Sequence, residues 1–151
     1  MIKLSKKWSY ALKAVIYIAK NSSTTLSFWK ESPEGERLEW LVHLVDISES
    51  ESISLSMLRR IVAELEKCWV LETIKWRNWG IKLWKKTHQI SVFDILFAVW
   101  EELWLTDCTK WLECENQNNC STEVLLWGLQ KGFNTLLHIY TLDKIINKKK
   151  L

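Results

Sequence analysis

The stretch from Ser54 to Lys86 limits the fold more than any other part of the chain, because its hydrophobic period changes halfway along. Leu55, Leu58, Ile61, Val62 and Leu65 recur at the three-and-four spacing of a helix with one buried face, while Ser56, Arg59, Arg60 and Ala63 fall on the opposite face. Ser54 stands where a helix cap is wanted. The runs "VLETIK" and "GIKLWKK" follow, separated by "WRNW", and read as a two-stranded hairpin with Arg77 at its tip and lysines along it. Upstream, residues 44–50 form a short helix joined to the Ser54 helix by the tight "SESI" connection, a helix-turn-helix arrangement. A first helix begins after Ser5 and runs to about residue 20, with Ala11, Val15, Ile18 and Ala19 on one face. Helix, helix, helix, basic hairpin is the order of a winged helix.

The rest of the chain extends this frame. "NSSTTLSFWKESPEGERLEW", which holds the only proline, is a long polar loop. After the hairpin, "SVFDILFAVWEEL" is a further helix. Ser121 opens a long one, with Leu125, Leu129, Phe133, Leu136, Leu137 and Tyr140 along one stripe. Such a helix after a small domain pairs with a second copy more readily than it closes on its own core, so a homodimer is expected. The expected fold is mainly α with a small β-hairpin wing: a winged helix-turn-helix over residues 1–86, then a connecting helix, a cysteine loop and a dimerisation helix over 87–151, forming one compact unit. A chain of 151 residues, 48% hydrophobic and 26% charged, suits a single domain of this kind. The first twenty residues carry charges through their apolar part, and no run reaches the ~18 uncharged apolar residues of a membrane span. A cytoplasmic protein with no membrane partner is therefore expected.

"DCTKWLECENQNNC" places Cys108, Cys114 and Cys120 at even steps in a stretch too polar for a core. In a reducing compartment such thiols bind metal or sense redox state more readily than they form stable disulfides. Residues six apart on a polar loop can curl round an iron–sulfur cluster. Structural zinc usually asks for a closer C-x2-4-C pair, and unliganded thiols complete the alternatives. Cys68, beside apolar residues at the end of a helix, reads as a buried inert thiol, and His43 and His88 as surface residues.

The net charge is only +3, but lysines and arginines gather in the first helix, the Ser54 helix and the hairpin, while acids gather elsewhere. That segregation suits a polyanion partner. Ser54, Ser56, Met57, Arg59 and Arg60 are placed to enter a major groove of double-stranded DNA, arginine being the usual reader of guanine edges. Lys6, Lys7, Lys75, Arg77 and Lys82 are expected to hold phosphates or reach a minor groove through the wing. No P-loop, dinucleotide fingerprint or nucleophile motif is present, so an enzyme is not expected. A small iron–sulfur electron carrier would need neither a recognition helix nor a basic wing.

"LSKKWSYALKAVIYIAK", "ISLSMLRRIVAELEKCWVL", "ISVFDILFAV", the C-x5-C-x5-C loop and "TLDKII" together resemble the Rrf2 family of bacterial winged-helix regulators, in particular its cluster-binding members, over nearly the whole chain. The resemblance implies a dimer that binds an operator under the control of an iron–sulfur cluster held by Cys108, Cys114 and Cys120, with a 2Fe-2S cluster favoured over 4Fe-4S. Similar proteins complete the cluster with a histidine three residues after the last cysteine or an aspartate in the first helix of the partner subunit. Those positions hold Glu123 and Ser9 here, so Glu123 is offered as an oxygen ligand; a carboxylate complementing the helix dipole is the plainer reading. A weak fourth ligand would leave an iron open to nitric oxide, oxygen or iron loss, which suits sensing. The loop from Asn21 to Glu39 is longer than is usual in the family.

One imbalance fits none of this. The chain has eleven tryptophans and four glycines, whereas glycine at ~7% would give about eleven. Trp69 follows a helix and precedes a strand, Trp76 and Trp79 flank a hairpin turn, and Trp100, Trp104 and Trp111 fall at helix ends and in the cysteine loop. These are positions where glycine serves, because it takes positive φ without strain. Trp8, Trp69, Trp79 and Trp100 also coincide with common glycines of the resembling family. The pattern predicts that UGA codons are read as glycine in the source organism, with Trp127 as a genuine aromatic. A protein truly rich in tryptophan, with aromatics at the wing tip, is the alternative.

Overall fold

A computed structural model of the chain describes residues 5–22, 41–75, 80–99, 103–110 and 120–147. The long polar loop beyond Ser22, the hairpin tip with Trp76, Arg77 and Trp79, and Trp100, Trp111 and Cys114 lie outside the described residues.

Helix α1, Lys6–Asn21, begins where the Ser5 hydroxyl accepts the Trp8 N–H at 3.3 Å, and it buries Ala11, Ala14, Val15 and Ile18. Helix α2, Leu44–Glu51, ends at Ser52, whose φ of 54° turns the chain sharply. The corner is held by the Ile53 N–H on the Ser48 carbonyl at 3.2 Å and by the Ser48 hydroxyl on the Ile53 carbonyl at 2.6 Å. Helix α3, Leu55–Lys67, then buries Leu58, Ile61, Val62 and Leu65. Leu55, expected in the buried stripe, is half-buried. Ser54 occupies the cap position, but its hydroxyl lies 3.4 Å from that of Ser56 and makes no bond to the helix N–H groups, so the expected side-chain cap is absent.

The end of α3 is a complete Schellman turn. The Trp69 N–H bonds the Glu66 carbonyl at 3.1 Å and the Val70 N–H bonds the Leu65 carbonyl at 3.0 Å, with Trp69 at φ 58°. Strands β1, Leu71–Ile74, and β2, Gly80–Leu83, pair antiparallel, with Glu72 opposite Lys82 and Ile74 opposite Gly80. Val42 adds a bridge to Ile81, exchanging N–H bonds of 3.1 and 2.8 Å. Glycine is required at position 80, since a Cβ there would stand 2.6 Å from the Cβ of Leu41.

After a 3₁₀ turn at Thr87–Gln89, α4 spans Val92–Ala98 and opens with a capping box: the Asp94 N–H bonds the Ser91 hydroxyl at 3.2 Å, and the Ser91 N–H bonds the Asp94 carboxylate at 2.9 Å. It stops at Ala98, short of the full "SVFDILFAVWEEL" run. Helix α5, Glu123–Ile139, starts two residues later than Ser121 suggested, and α6 covers Leu142–Ile146. The Val92 N–H to the Tyr140 carbonyl at 2.8 Å and the Leu142 N–H to the Ile90 carbonyl at 2.9 Å return the chain to the domain after α5. One core results, in which Ile18, Ile47, Leu58, Ile61, Ile95 and Leu142 are fully buried, so α1, α2, α3, α4 and α6 share a single apolar centre. The order is that of a winged helix-turn-helix.

Candidate nucleic-acid interface and cysteine site

Burial of Leu58, Ile61, Val62 and Leu65 fixes the rotation of α3 and sends Ser56, Arg59, Arg60, Ala63 and Lys67 to solvent. Neither Arg59 nor Arg60 has an ion-pair partner among the described residues, so both guanidinium groups are free for an external anion. Ser54 and Ser56 are exposed at the start of the helix. Met57 is half-buried and packs on the core, which makes it a support for this surface more than a contact.

The lysines divide into two groups. Lys6 and Lys75 are exposed. Lys7 instead turns inward: its ammonium lies 2.7 Å from the Glu64 carboxylate and donates to the Val99 carbonyl at 2.8 Å, tying α1 to α3 and to the end of α4. Lys82 pairs across the hairpin with Glu72 at 2.9 Å, directly opposite in the register. Both are therefore engaged within the fold, while Arg77 lies outside the described residues. Sequence spacing showed these five lysines and arginines to be basic; it did not show which of them already had a carboxylate.

Two of the three loop cysteines are described. Cys108 sits in a 3₁₀ turn, Asp107–Lys110, with its sulfur 3.4 Å from the Thr106 hydroxyl. The Cys120 sulfur lies 3.3 Å from the Thr122 hydroxyl, just before α5. Hydrogen bonding from Thr122, the hydroxyl first and then the backbone, holds the Cys120 thiol below its ordinary pKa, with desolvation and, less, the nearby Glu123 carboxylate pulling the other way. Both cysteines are half-buried and each sulfur lies beside a hydroxyl, and thiolate sulfurs of this kind are donors that fit a soft metal or an iron–sulfur centre. Glu123 is the exposed first residue of α5, where its charge also complements the helix dipole. Cys68 closes α3 and is half-buried, so the expectation of a fully buried thiol is corrected: the left-handed turn that follows it leaves the sulfur at the edge of the core.

A polar clamp at this loop was not foreseen from sequence. Gln130, nearly fully buried on α5, accepts the Leu105 N–H at 2.8 Å and the Thr109 hydroxyl at 3.3 Å, and donates to the Leu103 carbonyl at 2.8 Å and to Asn134 at 2.9 Å. The signal available was a lone glutamine inside "LLWGLQKGF". On the other side of α5, Val124, Leu125, Leu129, Leu136, Ile139 and Tyr140 are exposed, so the apolar stripe does not close on the chain's own core. No described helix is long and apolar enough to cross a membrane.

Comparison with known proteins agrees with this arrangement. Residues 36–148 match the Rrf2 family, described as "Iron-dependent Transcriptional regulator". A putative HTH-type transcriptional regulator of Haemophilus influenzae is 32% identical over 150 residues, covering 99% of this chain and 90% of that protein. The HTH-type transcriptional regulator IscR of Pectobacterium atrosepticum is 29% identical over 150 residues, covering 99% and 82%. The structure of CymR, the global cysteine regulator of B. subtilis, superposes with a TM-score of 0.71 at 19% identity, covering 99% of this chain and all of that one. These relatives are regulators and not enzymes, and the full-length match, the winged helix-turn-helix and the free cationic face of α3 lead to one conclusion: the chain belongs to the Rrf2 family of transcriptional regulators.

Proposed function

We propose that the protein is a cytoplasmic, homodimeric regulator that binds a double-stranded DNA operator through α3 and the wing, under the control of an iron–sulfur cluster held by Cys108, Cys114 and Cys120. The observation that carries the reading is the solvent face of α3, where Arg59 and Arg60 stand unpaired beside Ser54 and Ser56. A helix presented in this way enters a major groove, and its arginines read guanine edges. Lys6, Lys75 and Arg77 supply phosphate contacts that set register. A second copy, joined through the exposed stripe of α5, would present the same surface to a second half-site.

The cysteines bring the regulatory chemistry. Cys108 and Cys120 are half-buried, each beside a hydroxyl, and the relatives include IscR proteins within a family described as iron-dependent. Glu123, three residues after Cys120, is the offered fourth ligand. A bound cluster would supply a redox- and ligand-sensitive centre, 2Fe-2S favoured, whose presence changes how the loop and α5 are held. Anaerobic purification followed by iron, sulfide and zinc analysis, with operator binding measured on the metal-loaded and metal-free protein, tests the reading. Iron and sulfide in equal amounts, with operator affinity that differs between the two forms, are expected. Zinc alone, or equal binding by both forms, would replace it with a structural zinc or an unliganded cysteine loop.

A further inference from the structure

Among the described residues only three polar side chains are buried, Ser91, Thr109 and Gln130. Ser91 is accounted for by its capping box. Thr109 and Gln130 meet each other, and both hold the segment that carries Cys108. Gln130 uses its full hydrogen-bonding capacity, two donated and two accepted bonds, on Leu103, Leu105, Thr109 and Asn134. The single Thr109 hydroxyl hydrogen is shared between the Thr106 carbonyl at 2.8 Å and Gln130 at 3.3 Å, and Thr106 also faces the Cys108 sulfur. The buried residue of α5 is a glutamine, while Leu125, Leu129 and Leu136 on the same helix are exposed. An inner face of that kind is shaped to hold loop backbone, while the outer face is left for another surface.

We propose that Gln130 and Thr109 are positioning residues that lock the Cys108 arm of the cysteine loop to α5, so that changes at the thiols are transmitted to the helix. This rests on the cysteines being cluster ligands. Groups that orient metal ligands typically contribute about 10- to 100-fold to metal retention. The test compares wild type with Gln130→Leu, Thr109→Val and Thr109→Ser. In the metal-free protein, hydrogen exchange at the Leu105 amide should accelerate in Gln130→Leu. After anaerobic reconstitution with ferrous iron and sulfide, iron should pass to a chelator about 10- to 100-fold faster in Gln130→Leu and Thr109→Val, with Thr109→Ser close to wild type because the hydroxyl is kept. If Gln130→Leu does not fold, Thr109→Val decides by iron retention, and Gln130→Glu, which keeps the carbonyl-type acceptor but not the donors to Leu103 and Asn134, by exchange at the loop amides. Unchanged Leu105 exchange, or wild-type iron retention in Thr109→Val, overturns the clamp. A wild-type chain that takes up no iron or sulfide overturns the cluster reading and the coupling built on it, a failure that the exchange measurement keeps separate from that of the clamp.

A different observation carries a second inference. Trp69 sits at φ 58° in the position after the cap of a Schellman turn whose two hydrogen bonds are both made. A left-handed residue there is usually glycine, and a bulky aromatic is a strained occupant. Its ring is more than half exposed, 4.9 Å from that of Trp84, and is not part of the core. Trp8 has an indole N–H buried without an acceptor, a defect that a side chain of one hydrogen would remove. We infer that position 69 is glycine in the native protein, encoded by a UGA codon that the source organism reads as glycine, and that the same reassignment accounts for the excess of tryptophan over glycine. The gene and the native protein decide this together. UGA at codons 69, 76, 79 and 111, with glycine found at those positions by peptide mass spectrometry, is the expected result. UGG at codon 69, or UGA with tryptophan in the peptide, overturns it. The Trp69→Gly chain should also melt at a higher temperature than the tryptophan chain; an equal or lower melting point counts against glycine at this turn.

Discussion

Arg60 and Lys7 were both expected at the DNA, yet the fold uses them differently. Arg60 is exposed and unpaired on α3, while Lys7 is held between Glu64 and the Val99 carbonyl. Arg60→Ala should therefore cost about 1–3 kcal/mol of discrimination between operator and random DNA, measured by competition binding. Arg77→Ala should weaken binding to both and flatten the salt dependence by roughly one unit if it holds one phosphate. Lys7→Met should behave in the opposite way, lowering stability to denaturant by about 1.5–3 kcal/mol through loss of a charged hydrogen bond while leaving the salt slope of DNA binding unchanged. A reduced salt slope in Lys7→Met would return this lysine to the interface. Residue type was enough to nominate all three positions. What separates Lys7 from Arg60 is whether a carboxylate stands within reach, and Glu64 lies 57 positions from Lys7 in the chain, beyond any local pattern.

At the scale of elements, periodicity located α1, α3 and the hairpin, because burial of one face imposes a spacing that can be read directly. The ends were less legible. Ser5 caps α1 as expected, but Ser54 turns to Ser56, and α5 begins after Thr122 instead of at Ser121. A cap residue has several competing partners, and local packing chooses among them. The stripe on α5 was also readable, but its direction was not: Leu129 and Leu136 face outward because Gln130 occupies the inner side. If that stripe joins two copies, Leu129→Glu should raise the dimer dissociation constant by at least about 100-fold, since each copy loses the burial of one leucine and would bury a charge. Sedimentation equilibrium would show this, and an unchanged association state would remove α5 from the interface.

For the whole molecule, the proposed DNA surface on α3 and the proposed ligands Cys108 and Cys120 come from separate segments of the chain, so the two functions should be separable by mutation. Replacing any one of Cys108, Cys114 or Cys120 by Ala should abolish visible charge-transfer absorption, because a cluster lacking one thiolate is labile, while circular dichroism shows the winged domain still folded. Three variants that all stay coloured and iron-loaded would end the cluster assignment. The sequence by itself determined the order of elements, the helix-turn-helix with its basic hairpin, and the three candidate ligands, since each follows from spacing within a few residues. Tertiary structure alone decided that Lys7 and Lys82 are spent on Glu64 and Glu72, and that Gln130 grips the backbone at Leu103 and Leu105. The physical reason is range: hydrophobic period is a property of neighbours along the chain, whereas ion pairs and buried hydrogen bonds join groups that only packing brings together.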